Sequence, residues 1–105
     1  MLEKHIEQAV CRYAESEGCI VVKLNGPGDR GKPDRMFLRN GVVLFIEFKK
    51  PGGRATPLQV KWQERLRASG FVAEFVDTVA DGVRLVNRVL LAPAGEKTPT
   101  TKTDV

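Results

Sequence analysis

PDRMFLRNGVVLFIEFKK, residues 33–50, decides how this chain folds. Two runs rich in β-branched, aliphatic and aromatic residues flank Asn40-Gly41, a pair that supplies the positive φ angles of a type I′ turn. With those two residues as the loop, cross-strand partners have numbers that sum to a constant. Arg39 then faces Val42, Phe37 faces Leu44 and Asp34 faces Glu47. Directly opposed residues project to the same side with Cβ atoms about 4.5–5.5 Å apart. Lys49, two residues beyond Glu47, points to that side too. The hairpin is apolar on both faces, with Leu44, Ile46 and Phe48 on one and Met36, Leu38, Val43 and Phe45 on the other. A central hairpin covered on both sides is the expectation.

Around this hairpin the chain reads as helix, strand, strand, strand, helix, strand, helix. Residues 2–17 carry Leu2, Ile6, Ala9, Val10 and Tyr13 at helical spacing and end at Gly18. Residues 19–24 (CIVVKL) read as a buried strand, and 25–33 (NGPGDRGKP) as a turn-rich loop. After a second loop, PGGRAT, Thr56 caps a helix over residues 57–69 with Pro57 at its first position. Leu58, Trp62 and Leu66 form the apolar stripe of that helix, so Trp62 is expected in the core rather than stacked on a base. Residues 71–76 (FVAEFV) form a further strand. Thr78 and Asp81 open a last helix carrying Val79, Val83, Val86 and Leu90, with Gly82 a weak point. The fold class is α/β, a mixed central sheet with helices on both faces. One folded domain over residues 1–91 is expected, followed by a disordered tail over 92–105 that has no apolar pattern.

Composition narrows the chemistry. Two cysteines and one histidine fall short of the four Cys/His ligands of a structural zinc site. The lone histidine also argues against Ser-His-Asp or Cys-His catalysis. A metal here would be held by carboxylates, which favours Mg²⁺ or Mn²⁺. No apolar run reaches the roughly 20 residues of a membrane helix. The charged N-terminus does not resemble a signal peptide, and a cytoplasmic protein without a membrane partner is expected. The net charge is +4, but residues 23–67 hold 11 Lys/Arg against 4 Asp/Glu, a local balance of +7. A polyanion is the natural partner of that segment, against the plainer reading of a solvated basic surface.

Two carboxylates facing each other need a reason. Unit charges about 5 Å apart repel by about 3 kcal/mol at an effective dielectric of 20. A divalent cation ligated by Asp34 and Glu47, and by the backbone carbonyl of Phe48, removes that penalty. It would also supply the Lewis acidity that phosphodiester hydrolysis requires. Lys49 is placed to orient a water and to stabilise charge growing on phosphorus. The competing reading is a surface salt bridge between Lys49 and the two acids.

Pro33-Asp34 followed by Glu47-Phe48-Lys49 resembles the PD-(D/E)xK nuclease signature. The wider pattern, GKPDR (31–35) with FIEFKKPGGRATPLQVKWQERLRASGF (45–71), resembles the VRR-NUC branch of the restriction-endonuclease-like superfamily. That domain is found alone in some phages and joined to larger repair enzymes. The resemblance spans about residues 3 to 90. It implies a metal-dependent endonuclease acting on branched DNA such as Holliday junctions, working as a homodimer without an organic cofactor. It also implies a metal contact from Glu7 on the first helix, with Glu3 as substitute, where the alternative is a solvent-facing glutamate. Gln59 is implied near the active site, and it also fits a capping box with Thr56. Arg30, Lys32, Lys50 and Arg54 flank the site as expected phosphate contacts. Glycines 28, 31, 52 and 53 would let backbone approach the nucleic acid or serve as plain turn residues. Val83, Val86 and Leu90 offer a candidate dimer strip. Two other functions compete: a catalytically silent nucleic-acid-binding module, and a nuclease without branch preference.

Overall fold

The computed structural model describes residues 2–24, 26, 28 and 30–92. The tail expected over 92–105 thus lies, except for Ala92, outside the described residues. Helix α1 (Glu3–Ser16) leads to β1 (Ile20–Lys23), then to the hairpin β2 (Arg35–Arg39) and β3 (Val42–Phe48). Helix α2 (Pro57–Ala68), β4 (Val72–Val76) and α3 (Val79–Val86) follow, and α3 runs into a π-helical turn over Asn87–Leu91. Strand order is β1-β2-β3-β4, with the first two pairings antiparallel and β3–β4 parallel. Among the described residues no helix is long and apolar enough to cross a membrane.

The turn behaves as its sequence dictates. Asn40 (φ 52°) and Gly41 (φ 78°) both occupy the left-handed region, and Arg39–Val42, Phe37–Leu44 and Arg35–Ile46 pair in the expected register. Because side chains alternate along a strand, Phe37, Leu44, Ile46 and Phe48 share one face. All four are fully buried against Ile6, Val10 and Ala14 of α1, with Leu85, Val86 and Leu90 completing the cluster. Helix α2 lies on the opposite face, over β4.

That opposite face is less covered than the sequence suggests. Met36, Leu38, Val43 and Phe45 are only half-buried, because α2 covers the β4 side and leaves β1–β2 open. The strand read as buried, β1, is a sheet edge, and its Ile20 is 62% exposed. The stripe assigned to α2 also shifts. Leu58 is exposed, Trp62 and Leu66 are half-buried, and the buried residue is Gln63, whose amide donates to the Glu74 carbonyl of β4. Val86 and Leu90, read as a dimer strip, are fully buried in the core and unavailable to a partner.

Gly82, a flaw in a helix by propensity alone, is where α3 meets α1. A Cβ there would lie 2.5 Å from Cγ2 of the fully buried Val10. Overpacking of about 1–3 kcal/mol outweighs a helix-propensity gain of about 1 kcal/mol. Gly82→Ala is therefore expected to lower the melting temperature by several degrees. A melting temperature equal to or above that of the parent would show that Val10 yields freely.

Candidate active site

Extending the hairpin register by one pair brings Asp34 opposite Glu47, at the open end of the hairpin. Both side chains are buried, Asp34 at 6% and Glu47 at 4% exposure. The Asp34 carboxylate reaches the end of β3, where its Oδ2 accepts the Phe48 N–H at 2.8 Å. Beyond Phe48 the parallel ladder continues, as the Lys49 N–H donates to the Val76 carbonyl at 2.8 Å. The end of β3 is thus fixed by the Asp34 side chain on one side and by the β4 backbone on the other.

Gln59 joins the parts. Its side-chain carbonyl accepts from Lys49 Nζ at 2.6 Å and from the Thr56 N–H at 2.9 Å, while its amide donates to Glu47 Oε2 at 2.9 Å. The Gln59 N–H donates back to Thr56 Oγ1 at 3.2 Å, closing the capping box. The capping box expected at Thr56 is present, and the same Gln59 side chain ties Lys49 to Glu47. Lys49 Nζ lies 3.8 Å from Glu47 Oε2.

The electrostatics are those of a crowded anionic site. Burial, first, raises the Asp34 carboxyl to about 6; the Phe48 N–H bond works against this, and Glu7 and Glu3 add to it. Burial again comes first for Glu47, raised to about 8, with the charge of Asp34 next and Lys49 opposing both. Glu47 Oε1 is buried and has no hydrogen-bond partner among the described residues. An orphaned carboxylate oxygen beside a second buried carboxylate is a donor set suited to a hard divalent cation. Among the described residues, however, no three His, Cys, Asp or Glu side chains converge closely enough to enclose an ion. Any further ligands beyond Asp34 and Glu47 must come from backbone, water or substrate, or from a shift of Glu7.

Glu7 is held elsewhere. Arg35 Nε donates to its Oε2 at 2.6 Å, with both side chains mostly buried. Arg35 was not among the expected site residues, although strand alternation marks it. It is adjacent to Asp34 and must point to the other face, toward α1. Arg30, Lys50 and Arg54 are exposed beside the site, whereas Lys32 lies 5.8 Å above the centre of the Trp62 ring. Gly31 packs tightly on α2: a Cβ there would sit 2.5 Å from Leu58 Cγ, so only glycine lets this loop close on the helix. A cleft of about 240 Å³ opens at Lys49, Gly53, Ala55, Phe75 and Asp77. The larger hollow, about 810 Å³, lies between β4 and α3 and is lined by none of Asp34, Glu47, Lys49 and Gln59. Its rim mixes Glu74 and Asp81 with Arg84 and Arg88, which does not suit a phosphate track.

The linkage can be measured. A carboxyl whose folded pKa is raised loses stability for the fold as pH climbs from its ordinary value, 3.8 for Asp34 and 4.5 for Glu47, to the folded one. The metal-free protein should therefore weaken between about pH 4 and pH 8. A saturating divalent cation should raise the melting temperature by about 5–10 °C at pH 8 and by clearly less at pH 5.5. Equal shifts at both values would separate cation binding from these two acids.

A search against family models finds no match. The protein described as "Putative nuclease p44", from Acyrthosiphon pisum secondary endosymbiont phage 1, is 38% identical over 78 residues, which is 73% of this chain and 80% of that one. A solved structure described as a VRR_NUC domain superposes with a TM-score of 0.72 at 28% identity, covering 81% of this chain and 94% of its own. This chain belongs to the VRR-NUC nuclease family. A second structure, described as a VRR_NUC domain protein, shares the fold at a TM-score of 0.72 and 18% identity, over 85% of this chain and 88% of that one. The VRR-NUC chain accordingly has a restriction-endonuclease-like α/β fold and is a nuclease.

Proposed function

We propose that this VRR-NUC protein is a Mg²⁺- or Mn²⁺-dependent endodeoxyribonuclease that cuts branched DNA, such as a Holliday junction, as a homodimer in the cytoplasm. The observation that carries the catalytic part is the buried Asp34–Glu47 pair with an orphaned Glu47 oxygen and a tethered Lys49 beside it. A cation held by Asp34 and Glu47 would supply Lewis acidity to the phosphoryl oxygens and lower the pKa of a water. The Phe48 carbonyl and Glu7 are candidate further ligands, the latter after release from Arg35. Lys49 offsets the negative charge that accumulates on phosphorus as water attacks and the sugar oxygen leaves. Gln59 keeps the Lys49 ammonium from swinging into solvent and fixes one oxygen of Glu47, leaving the other for the cation. Arg30, Lys32, Lys50 and Arg54 hold phosphates on the flanking loops, without reading bases.

The homodimer is supported by the open sheet face. Ile20, Leu38 and Val43 form one apolar row across three strands, and Val22, Met36 and Phe45 form the next, by the pairing register. Phe71, itself exposed, packs edge-on against Phe45 at 5.5 Å. The row after these is the catalytic one, with Asp34 and Glu47. A second copy on the apolar rows would set two active sites on one surface related by a two-fold axis, as a symmetric junction requires.

Incubating the protein with labelled four-way junction, flap and linear duplex, with and without Mn²⁺, tests these parts separately. Cleavage of the junction in preference to the others, only with the ion, is expected. Binding without cleavage would identify a silent module, and equal cutting of all three would remove the branch preference.

A further inference from the structure

We infer that the ridge formed by Lys32, Trp62 and Arg65, continued by Lys61, is a phosphate-backbone track that grips a duplex DNA arm next to the active site. The inference rests on the nuclease reading and extends it to a surface that the catalytic chemistry does not use. Trp62 is not a core residue. It is half-buried, with Lys32 Nζ at 5.8 Å and the Arg65 guanidinium carbon at 4.7 Å from its ring centre. One cation comes from the loop and the other from α2, so the ring gathers charges from two elements into one place. Stacking on tryptophan limits the freedom of a long side chain while leaving guanidinium N–H groups for an acceptor. Lys61 and Arg65 are one helical turn apart on α2, and both are exposed. Glu64 is the single acid of that helix, and Arg67 is taken up by the Ala73 carbonyl and Glu74.

Position makes the ridge relevant to the substrate. Lys32 precedes Asp34 by two residues, which puts the ridge within about 7 Å of chain length from a catalytic carboxylate. Gly31 closes against Leu58, so the loop and α2 form one surface there. Two cations on one flat ring, with the exposed Lys61 next to it in sequence and beside a site for phosphodiester chemistry, complement a polyanion of regular charge spacing. The contacts fall on backbone, so the track is indifferent to base sequence.

Trp62 is the only tryptophan in the sequence and reports on the ridge directly. Wild-type protein would be titrated in EDTA, where nothing is cut, with a 30-bp duplex and a four-way junction. Tryptophan emission and the polarisation of labelled DNA would be followed over a salt series. Emission should change on saturation. Arg65→Gln should weaken binding about five- to tenfold and flatten the slope of log K against log salt by about one. Trp62→Ala should weaken binding as well and add little to Arg65→Gln, since the ring acts by holding the cations. Arg65 is an exposed helical residue and glutamine a good helix former, so this variant decides the matter even if Trp62→Ala fails to fold. Unchanged emission with an unchanged salt slope would overturn the inference. So would a loss in Trp62→Ala at an unchanged salt slope, because a ring that acts by holding the cations must change the slope when it is removed. Cleavage with Mn²⁺ is scored separately: cutting without a Trp62 response removes only the track, and a Trp62 response without cutting removes only the nuclease reading.

Discussion

Lys49→Ala should lower the cleavage rate by about 10³-fold while changing DNA affinity by no more than about threefold. The ammonium is held at 2.6 Å from Gln59 and 3.8 Å from Glu47, in a site where both acids are buried. A positive charge fixed in a low-dielectric pocket is worth most when negative charge develops next to it, which happens only in the transition state. On the proposed reading, ground-state binding is spread over the exposed loop cations and should barely register the loss. Single-turnover cleavage of a labelled junction with Mn²⁺, compared with polarisation binding in EDTA, measures the two effects apart. Retention of a tenth or more of the activity would remove Lys49 from the chemistry. Gln59→Ala should fall between the extremes, because Lys49 keeps its charge but loses its tether.

The second large effect concerns assembly. A Leu38→Lys, Val43→Lys double variant should turn a dimer into a monomer, with the dissociation constant raised by about 100-fold or more. Leu38 and Val43 are cross-strand partners in the apolar row of the open face nearest the hairpin turn, and two lysines there would put four like charges into an interface between two copies. Both positions are half-buried, and a lysine stem can lie along the sheet with its ammonium in water, so the monomer should still fold. Sedimentation velocity over a concentration series reads the change. A wild-type chain that sediments as a monomer at tens of micromolar would defeat the dimer proposal outright. The same variant distinguishes the open face from the last helix, whose Val86 and Leu90 are fully buried in the core.

Much of the geometry of the candidate site was legible because it is local. Asn40-Gly41 sets the turn, the turn sets the register, and strand alternation then puts Asp34, Glu47 and Lys49 on a common side. Thr56-Pro57-Leu58-Gln59 announces a capped helix start within four residues, and the cap is present. None of these readings needs information from a distant part of the chain.

Burial was harder to read. An apolar strand looks the same whether helices cover one face of it or two, so β1 passed for a buried strand although it is an edge. Periodicity found the α2 stripe but not its orientation. Only the packing on β4 made Gln63 the buried residue and left Trp62 at the surface among cations. Gly82 reads as a defect by propensity and becomes a requirement once Val10 is beside it.

By itself, then, the sequence determined the hairpin, its register and the three residues at its open end, because turn chemistry and a two-residue period act over a few bonds. The tertiary structure decided which faces meet solvent, that Arg35 claims Glu7, and that Gln59 spans Lys49 and Glu47. Those outcomes depend on how separate elements come to rest against each other, and contacts between distant segments leave no periodic trace in the chain.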